Sequence, residues 1–243
     1  MGCTKVSDGC RFCYAESLTK NRMGLSLWGA RGKRQVTSAA NWRKPHQWNR
    51  EALRAGERRR VFCASLCDVF EDHPIANRER ARVWETVQAT PALDWQILTK
   101  RPERIAACLP EGWGAGWRHV WLGTSIEDAR VAHRADHLRA VPAAVRFVSY
   151  EPALGPLADA LDLTGIHWVI YGGESGPGWR PEGTPEDPKQ WARDMLATCR
   201  AHGVAFFHKQ SAGWRTELGI ELDGEIVREY PASRAPAPSL LGS

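Results

Sequence analysis

Three cysteines stand close together near the start of the chain, Cys3, Cys10 and Cys13, in the spacing C-x6-C-x2-C, with aromatic Phe12 before the last thiol and Tyr14 after it. So compact a set lets one loop present three thiolates to a single metal centre. Three protein ligands suit a catalytic zinc with one open position, or an iron–sulfur cluster in which one iron has no protein ligand. An open iron has room for the amino and carboxylate groups of S-adenosylmethionine, which a closed four-thiolate site lacks. A closed structural zinc needs a fourth ligand, and Cys63, Cys67 or His73 is available for it. The spacing favours the cluster and leaves zinc open. Of the remaining cysteines, Cys63 reads as core and Cys67, beside Asp68 at a strand end, as facing a site. Cys108 and Cys199 fall on apolar helix faces as small buried hydrophobes.

The elements that must position this loop follow one repeated pattern from residue 61 onward. A short β-branched or aromatic run leads into a polar cluster and then a helix-like stretch ended by Pro or Gly. Strands are expected at 61–66, 95–99, 119–124, 145–150, 167–171 and 204–208. Pro102 opens a helix carrying Ile105, Cys108 and Leu109 at helical spacing, and Pro110 ends it. Ser125 and Asp128 resemble a capping box for a helix reaching Ala140. Trp191, Met195 and Cys199 share a helical face that Gly203 closes. Parallel strands need such crossovers, which gives an α/β barrel or an open doubly wound sheet and does not separate the two. Asp223-Gly224 between 219–222 and 225–228 signals a short C-terminal hairpin. The Pro-, Ala- and Ser-rich stretch 231–243 is expected to be a disordered tail behind one domain over 1–230.

Every expected strand ends in a polar or glycine-rich cluster, at 65–68, 99–101, 123–125, 149–151, 172–176 and 208–210. In a parallel β/α fold all these ends open on one face, so the clusters converge on one mouth. Taken singly, each is ordinary loop and cap chemistry. Lys100, Glu151, Glu174 and Lys209 stand out, because charges just past buried strands are costly to desolvate without a partner or ligand. The glycines of 172–178 lack both the Walker Lys-Ser/Thr and the dinucleotide spacing.

Composition sets the bounds on this reading. The 243 residues, 43% hydrophobic, suffice for one barrel-sized domain. Seven cysteines make an odd count, and the first residues carry charges rather than the apolar stretch of a signal peptide. A cytoplasmic protein is expected, with clustered thiols serving as ligands rather than disulfides. No apolar run reaches the length that crosses a membrane. The net charge of +5 is compatible with an acidic partner and decides nothing alone. Among the twelve tryptophans, Trp84, Trp95, Trp121 and Trp168 lie in apolar segments and read as core.

Several separated motifs, in order and each after an expected strand, resemble one known family. They are Gly2-Cys3-Thr4-Lys5-Val6-Ser7, Cys10 to Glu16, and the stretches 66–71, 98–102, 122–128, 149–156, 172–181 and 206–210. The chain resembles the phage-encoded three-cysteine-motif proteins grouped with the radical S-adenosylmethionine (radical SAM) superfamily. That resemblance implies a partial TIM-type (β/α)6 parallel barrel, a 4Fe-4S cluster on Cys3, Cys10 and Cys13, and reductive cleavage of S-adenosylmethionine to a 5′-deoxyadenosyl radical. The cysteine spacing is longer than the C-x3-C-x2-C of most radical SAM enzymes. Relatives carry a strand before the first cysteine, so either that strand is missing here or the start is misassigned. The resemblance places Ser65–Asp68 at the methionine amine and Lys100, Ser125 and Glu127 at its carboxylate and the ribose. It places Glu151 and Glu174 at ribose or substrate, makes Tyr150 and Cys67 sources of a hydrogen atom, and adds Lys209 to the catalytic set.

The substrate expected on this basis is a nucleobase or nucleotide in phage or host nucleic acid, as in DNA modification or repair, with an external electron donor. A metal-stabilised nucleic-acid-binding module without catalysis is the reading from another class, and an inactive relative that keeps the fold is a third. Basic runs at 31–34 and 58–60, with Trp28, Trp42 and Trp48 between arginines, suggest phosphate contacts and base stacking, or else a solvated helical insertion.

Overall fold

The computed structural model describes residues 1–232. Its centre is a sheet of six parallel strands, β1 (Arg59–Cys63), β2 (Leu93–Thr99), β3 (Val120–Ser125), β4 (Val145–Tyr150), β5 (Trp168–Gly172) and β6 (Ala205–Gln210). Each strand pairs with the next in sequence, in the order β1-β2-β3-β4-β5-β6. A doubly wound sheet reverses its order at a switch point; this one does not. It curls into a half-barrel, with β1 and β6 as its two unjoined sides.

Alternation along the strands builds two apolar layers. Ile97, Leu122, Val148, Val169 and Phe206 face outward into the main core under the helices. Trp121, Phe147, Trp168 and Ile170 face inward and pack on each other inside the curl. Burial on both faces explains why the central strands read as continuous apolar runs rather than as alternating ones. Gly123 makes room for this inner layer: a Cβ there would lie 2.3 Å from the Phe147 ring. Trp84, Trp95, Trp121 and Trp168 are all buried, as are Cys108 and Cys199, as the sequence implies.

Around the sheet lie α2 (Ala39–Ala55), α3 (Pro74–Gln88), α4 (Arg134–Arg139) and α5 (Gln190–Ala201), and α1 (Tyr14–Met23) follows the cysteine loop. Ser38 caps α2 by accepting from the Asn41 amide at 3.3 Å. The helices between strands are shorter than expected. Residues 102–109 form two 3-10 turns, Pro102–Arg104 and Ala106–Cys108, because prolines bracket the stretch and Trp84 Nε1 draws the Cys108 carbonyl aside at 2.8 Å. Asp128 caps only the 3-10 turn Ala129–Val131, and α4 begins at Arg134. The β4–β5 crossover has no helix. Gly203 has the left-handed φ of +65° expected of a helix stop. β1 ends at Cys63 rather than at 66 because Ala64 turns left-handed at φ 63°.

The C-terminal hairpin is present. Leu222 bridges Glu225 across Asp223 and Gly224, both with positive φ, the geometry of a two-residue primed turn. Its returning arm lies antiparallel to β6, with Phe207 opposite Arg228. From residue 233 the expected tail lies outside the described residues. Among the described residues no helix is long and apolar enough to cross a membrane.

Candidate active site

The cysteine loop lies across the carboxyl ends of the strands. Gly2 pairs in parallel with Cys67, just beyond the end of β1, and its amide donates to Leu66 O at 2.9 Å. A buried charged network then grips the next two residues. The Arg34 guanidinium donates from Nε and Nη2 to the two Glu71 oxygens, both at 2.7 Å, and from Nη2 to Thr4 Oγ1 at 2.8 Å. Glu71 accepts in turn from the Thr4 amide at 2.7 Å. Arg101 donates to Thr4 O at 2.7 Å, to Asp68 at 3.0 Å and to Cys3 Sγ at 3.5 Å. Burial opposes ionisation of Glu71, yet Arg34 and Thr4 hold its carboxyl below the usual range. Burial and Asp68 push the Cys3 thiol up to about 12, and Arg101 works against them.

Further along, Glu127 pins the loop from below. It accepts from Ser7 Oγ and Lys100 Nζ, each at 2.7 Å, and from Arg134 Nη1 at 2.8 Å. Gly9 lies against the same carboxylate, where a Cβ would sit 2.5 Å from its oxygen. Cys13 stands at the N-cap of α1; burial raises its pKa and the amides of Glu16 and Ala15 oppose that. From the far side, Arg180 is held by Glu174 through Nε at 2.7 Å and its amide at 2.9 Å, and reaches Asp8 O at 3.1 Å.

Between loop and strands lies a cavity of about 610 Å³. Cys3, Cys10, Cys13, Cys67, Ser65 and Asp68 line it, together with Lys100, Ser125, Glu151, Glu174 and Lys209. Ser65 is exposed there, and its carbonyl accepts from Tyr14 at 2.9 Å. Lys209 and Glu151 form an ion pair at 2.5 Å. Asp68 is saturated by Thr99, the Phe70 amide and Arg101. The strand-end residues of the sequence reading therefore do meet at one mouth. Among the described residues no group of three or more Cys, His, Asp and Glu is arranged to hold a metal ion.

The family described as "Protein of unknown function (DUF5131)" matches residues 1–231, almost every described position. The chain belongs to the DUF5131 family. No curated protein and no solved structure matches it.

In this DUF5131 chain four expectations need correction. Tyr150 does not reach the cavity: it is fully buried on the outer face of β4, stacked edge-on against Tyr171, and its hydroxyl donates to Gly155 O. Strand alternation decides this, since Ser149 and Glu151 point inward. Glu127 does not line the main cavity and is committed to its three donors beneath the loop. Arg34, read as a phosphate contact, is 7% exposed and bound to Glu71. The tryptophans beside it are not free surface either. Trp28 donates to Thr19 at 2.8 Å, Trp42 lies under Arg82 at 4.4 Å, and Trp48 packs on the core. Sequence reasoning did not find the Arg34–Glu71–Arg101 network. Its signal was the acidic and basic residues within stretches 66–71 and 98–102, which bond across the loop.

Proposed function

We propose that this chain is an iron–sulfur enzyme of the radical SAM kind, acting on a nucleobase or nucleotide with an external electron donor. One observation carries the reading: the loop bearing Cys3, Cys10 and Cys13 lies over the carboxyl-end mouth of a parallel half-barrel, and all three cysteines line one cavity with the strand-end polar residues. The donor set suits a 4Fe-4S cluster with one iron free of protein ligands, since three cysteines of one short loop border this cavity and, among the described residues, no histidine does. When bound, the cluster and S-adenosylmethionine would supply one-electron reductive cleavage chemistry at a carbon–sulfur bond, with the electron drawn from the external donor.

The chain's own residues do the rest by holding and shielding. The Arg34–Glu71–Arg101 network fixes the Cys3 end of the loop, and Glu127 fixes Ser7 and Gly9 before Cys10. Ser125, Ser149 and the Lys209–Glu151 pair offer hydrogen bonds to the amino acid and ribose parts of a bound ligand. Lys100 contributes a charge already balanced by Glu127. Of the two expected hydrogen-atom sources, only Cys67 borders the cavity.

Anaerobic reconstitution with iron and sulfide tests the ligand set. The chain is expected to turn brown and to bleach with dithionite. Cys3→Ala, Cys10→Ala and Cys13→Ala should each lose the colour, and Cys108→Ala and Cys199→Ala should keep it. A colourless chain holding stoichiometric zinc would overturn the cluster and support the metal-stabilised binding module instead.

A further inference from the structure

The half-barrel is open along the side between β1 and β6, and that opening has a chemistry of its own. Its inner wall is aromatic: Trp168, Phe207 and Tyr230 lie with ring centres 5.4–6.0 Å apart. At the edge Phe62 is 45% exposed and Tyr230 41%. Two guanidinium groups lie over these rings, Arg60 at 3.5 Å from Tyr230 and Arg228 at 5.3 Å from Phe207. Among the described residues neither has a salt-bridge partner; Asp94, beside Arg60 in register, is taken by Arg58 at 2.7 Å. The cavity's own carboxylates are likewise occupied, Glu151 by Lys209, Glu174 by Arg180 and Asp68 by Arg101. Glu217, which also lines the cavity, has no salt bridge among the described residues. All these aromatic and arginine residues line the same cavity as the cysteines.

A guanidinium over a ring with no carboxylate partner has N–H groups left for an anion, and an exposed ring offers a face for stacking. Two such pairs beside a cavity of this size suit one base with its phosphate, and an intact duplex does not bring a base inside. We propose that the side opening binds a single nucleotide unit, with the base on the open face of Phe62 and against the exposed edge of Tyr230, and the phosphate on Arg60 and Arg228. This deepens the reading above and rests on it for the reaction, though not for the binding. The unit belongs to a single strand or to a free nucleotide.

Fluorescence anisotropy of a labelled oligothymidylate, in a salt series, tests the proposal on the full chain, metal-free and reconstituted. Arg60→Gln and Arg228→Gln should each flatten the log–log salt slope by about 0.7, as loss of one single-strand phosphate contact does. Tyr230→Ala should weaken binding about tenfold at an unchanged slope. Arg43→Gln with Lys44→Gln, on exposed α2 positions away from the opening, should change neither. Displacement by thymidine monophosphate at comparable concentration identifies a free nucleotide as the ligand, and displacement only in large excess identifies the strand. Matched melting temperatures exclude misfolding. Absence of binding, tighter binding of duplex, or a slope that follows Arg43 and Lys44 instead would overturn it. A chain that cleaves S-adenosylmethionine without binding the oligonucleotide refutes the opening alone; one that binds without cleavage refutes the reaction alone.

Discussion

Replacing Arg34 with Ala removes the centre of the network that holds the cysteine loop. Glu71 would keep the Thr4 amide at 2.7 Å, while the nearest remaining cation, Arg101, stands 3.8 Å away. Stripping one partner from a buried ion pair costs about 3–5 kcal/mol, because the surviving charge stays desolvated. For a chain of this length that corresponds to roughly 6–20 °C in melting temperature. The carbonyls of Leu27 and Gly32, at 2.9 and 2.7 Å from Arg34, lose a donor as well, which places the loss in the upper half. The pH dependence has a definite sign. The folded-state pKa of Glu71 is lowered, so the pair contributes stability above the ordinary carboxylate pKa and loses it as pH falls through the lower folded value. In Arg34→Ala the lowering by Arg34 is lost and only the Thr4 amide and the more distant Arg101 oppose burial, so the Glu71 pKa rises and protonation relieves the buried charge. Melting followed by circular dichroism should show the widest gap between wild type and variant near neutrality, narrowing as pH falls through the carboxylate range. Arg34→Met with Glu71→Leu should recover part of the loss. A drop under about 2 °C at pH 7, or a gap that widens in acid, would show that the pair is not buried as described.

Gly123→Ala drives a methyl into the Phe147 ring and should cost about 1–3 kcal/mol in urea unfolding, with Phe147→Leu restoring part of it; an unchanged midpoint would mean the inner layer is loose. Gly9→Ala forces Glu127 away from the loop, and reconstituted protein should retain less iron after gel filtration while its melting temperature moves little. Burial raises the Glu182 carboxyl, against hydrogen bonds from Tyr171 and the Ala212 amide. With the folded pKa raised, its stability is full below the unfolded pKa and is lost as pH rises through the folded value. Glu182→Gln should therefore match wild type in acid and exceed it above neutrality, and a variant less stable at pH 8 would contradict this.

Much of the fold was legible because parallel strands buried on both faces leave unbroken apolar runs closed by polar clusters. The order of the strands was not, since barrel and doubly wound sheets share that pattern and differ only in long-range pairing. The C-terminal hairpin was legible from Asp223-Gly224, whose residues accept the left-handed turn. In the site, Lys209 and Glu151 stood out as charges past buried strands and meet as an ion pair. Tyr150 was misplaced because a one-residue change of parity moves a side chain to the opposite face of a strand. The inward position of Glu151 would have corrected it. Arg34 sits in a basic run that looks solvated, and only its fold-level neighbour Glu71, far along the chain, explains its burial.

The most direct test of the central claim is incubation of the reconstituted, dithionite-reduced chain with S-adenosylmethionine under anaerobic conditions, with 5′-deoxyadenosine measured by chromatography and mass. The account predicts its formation by wild type and its loss in Cys3→Ala, Cys10→Ala and Cys13→Ala. An intact cluster that binds S-adenosylmethionine and yields no 5′-deoxyadenosine, with or without an added oligonucleotide, would contradict it.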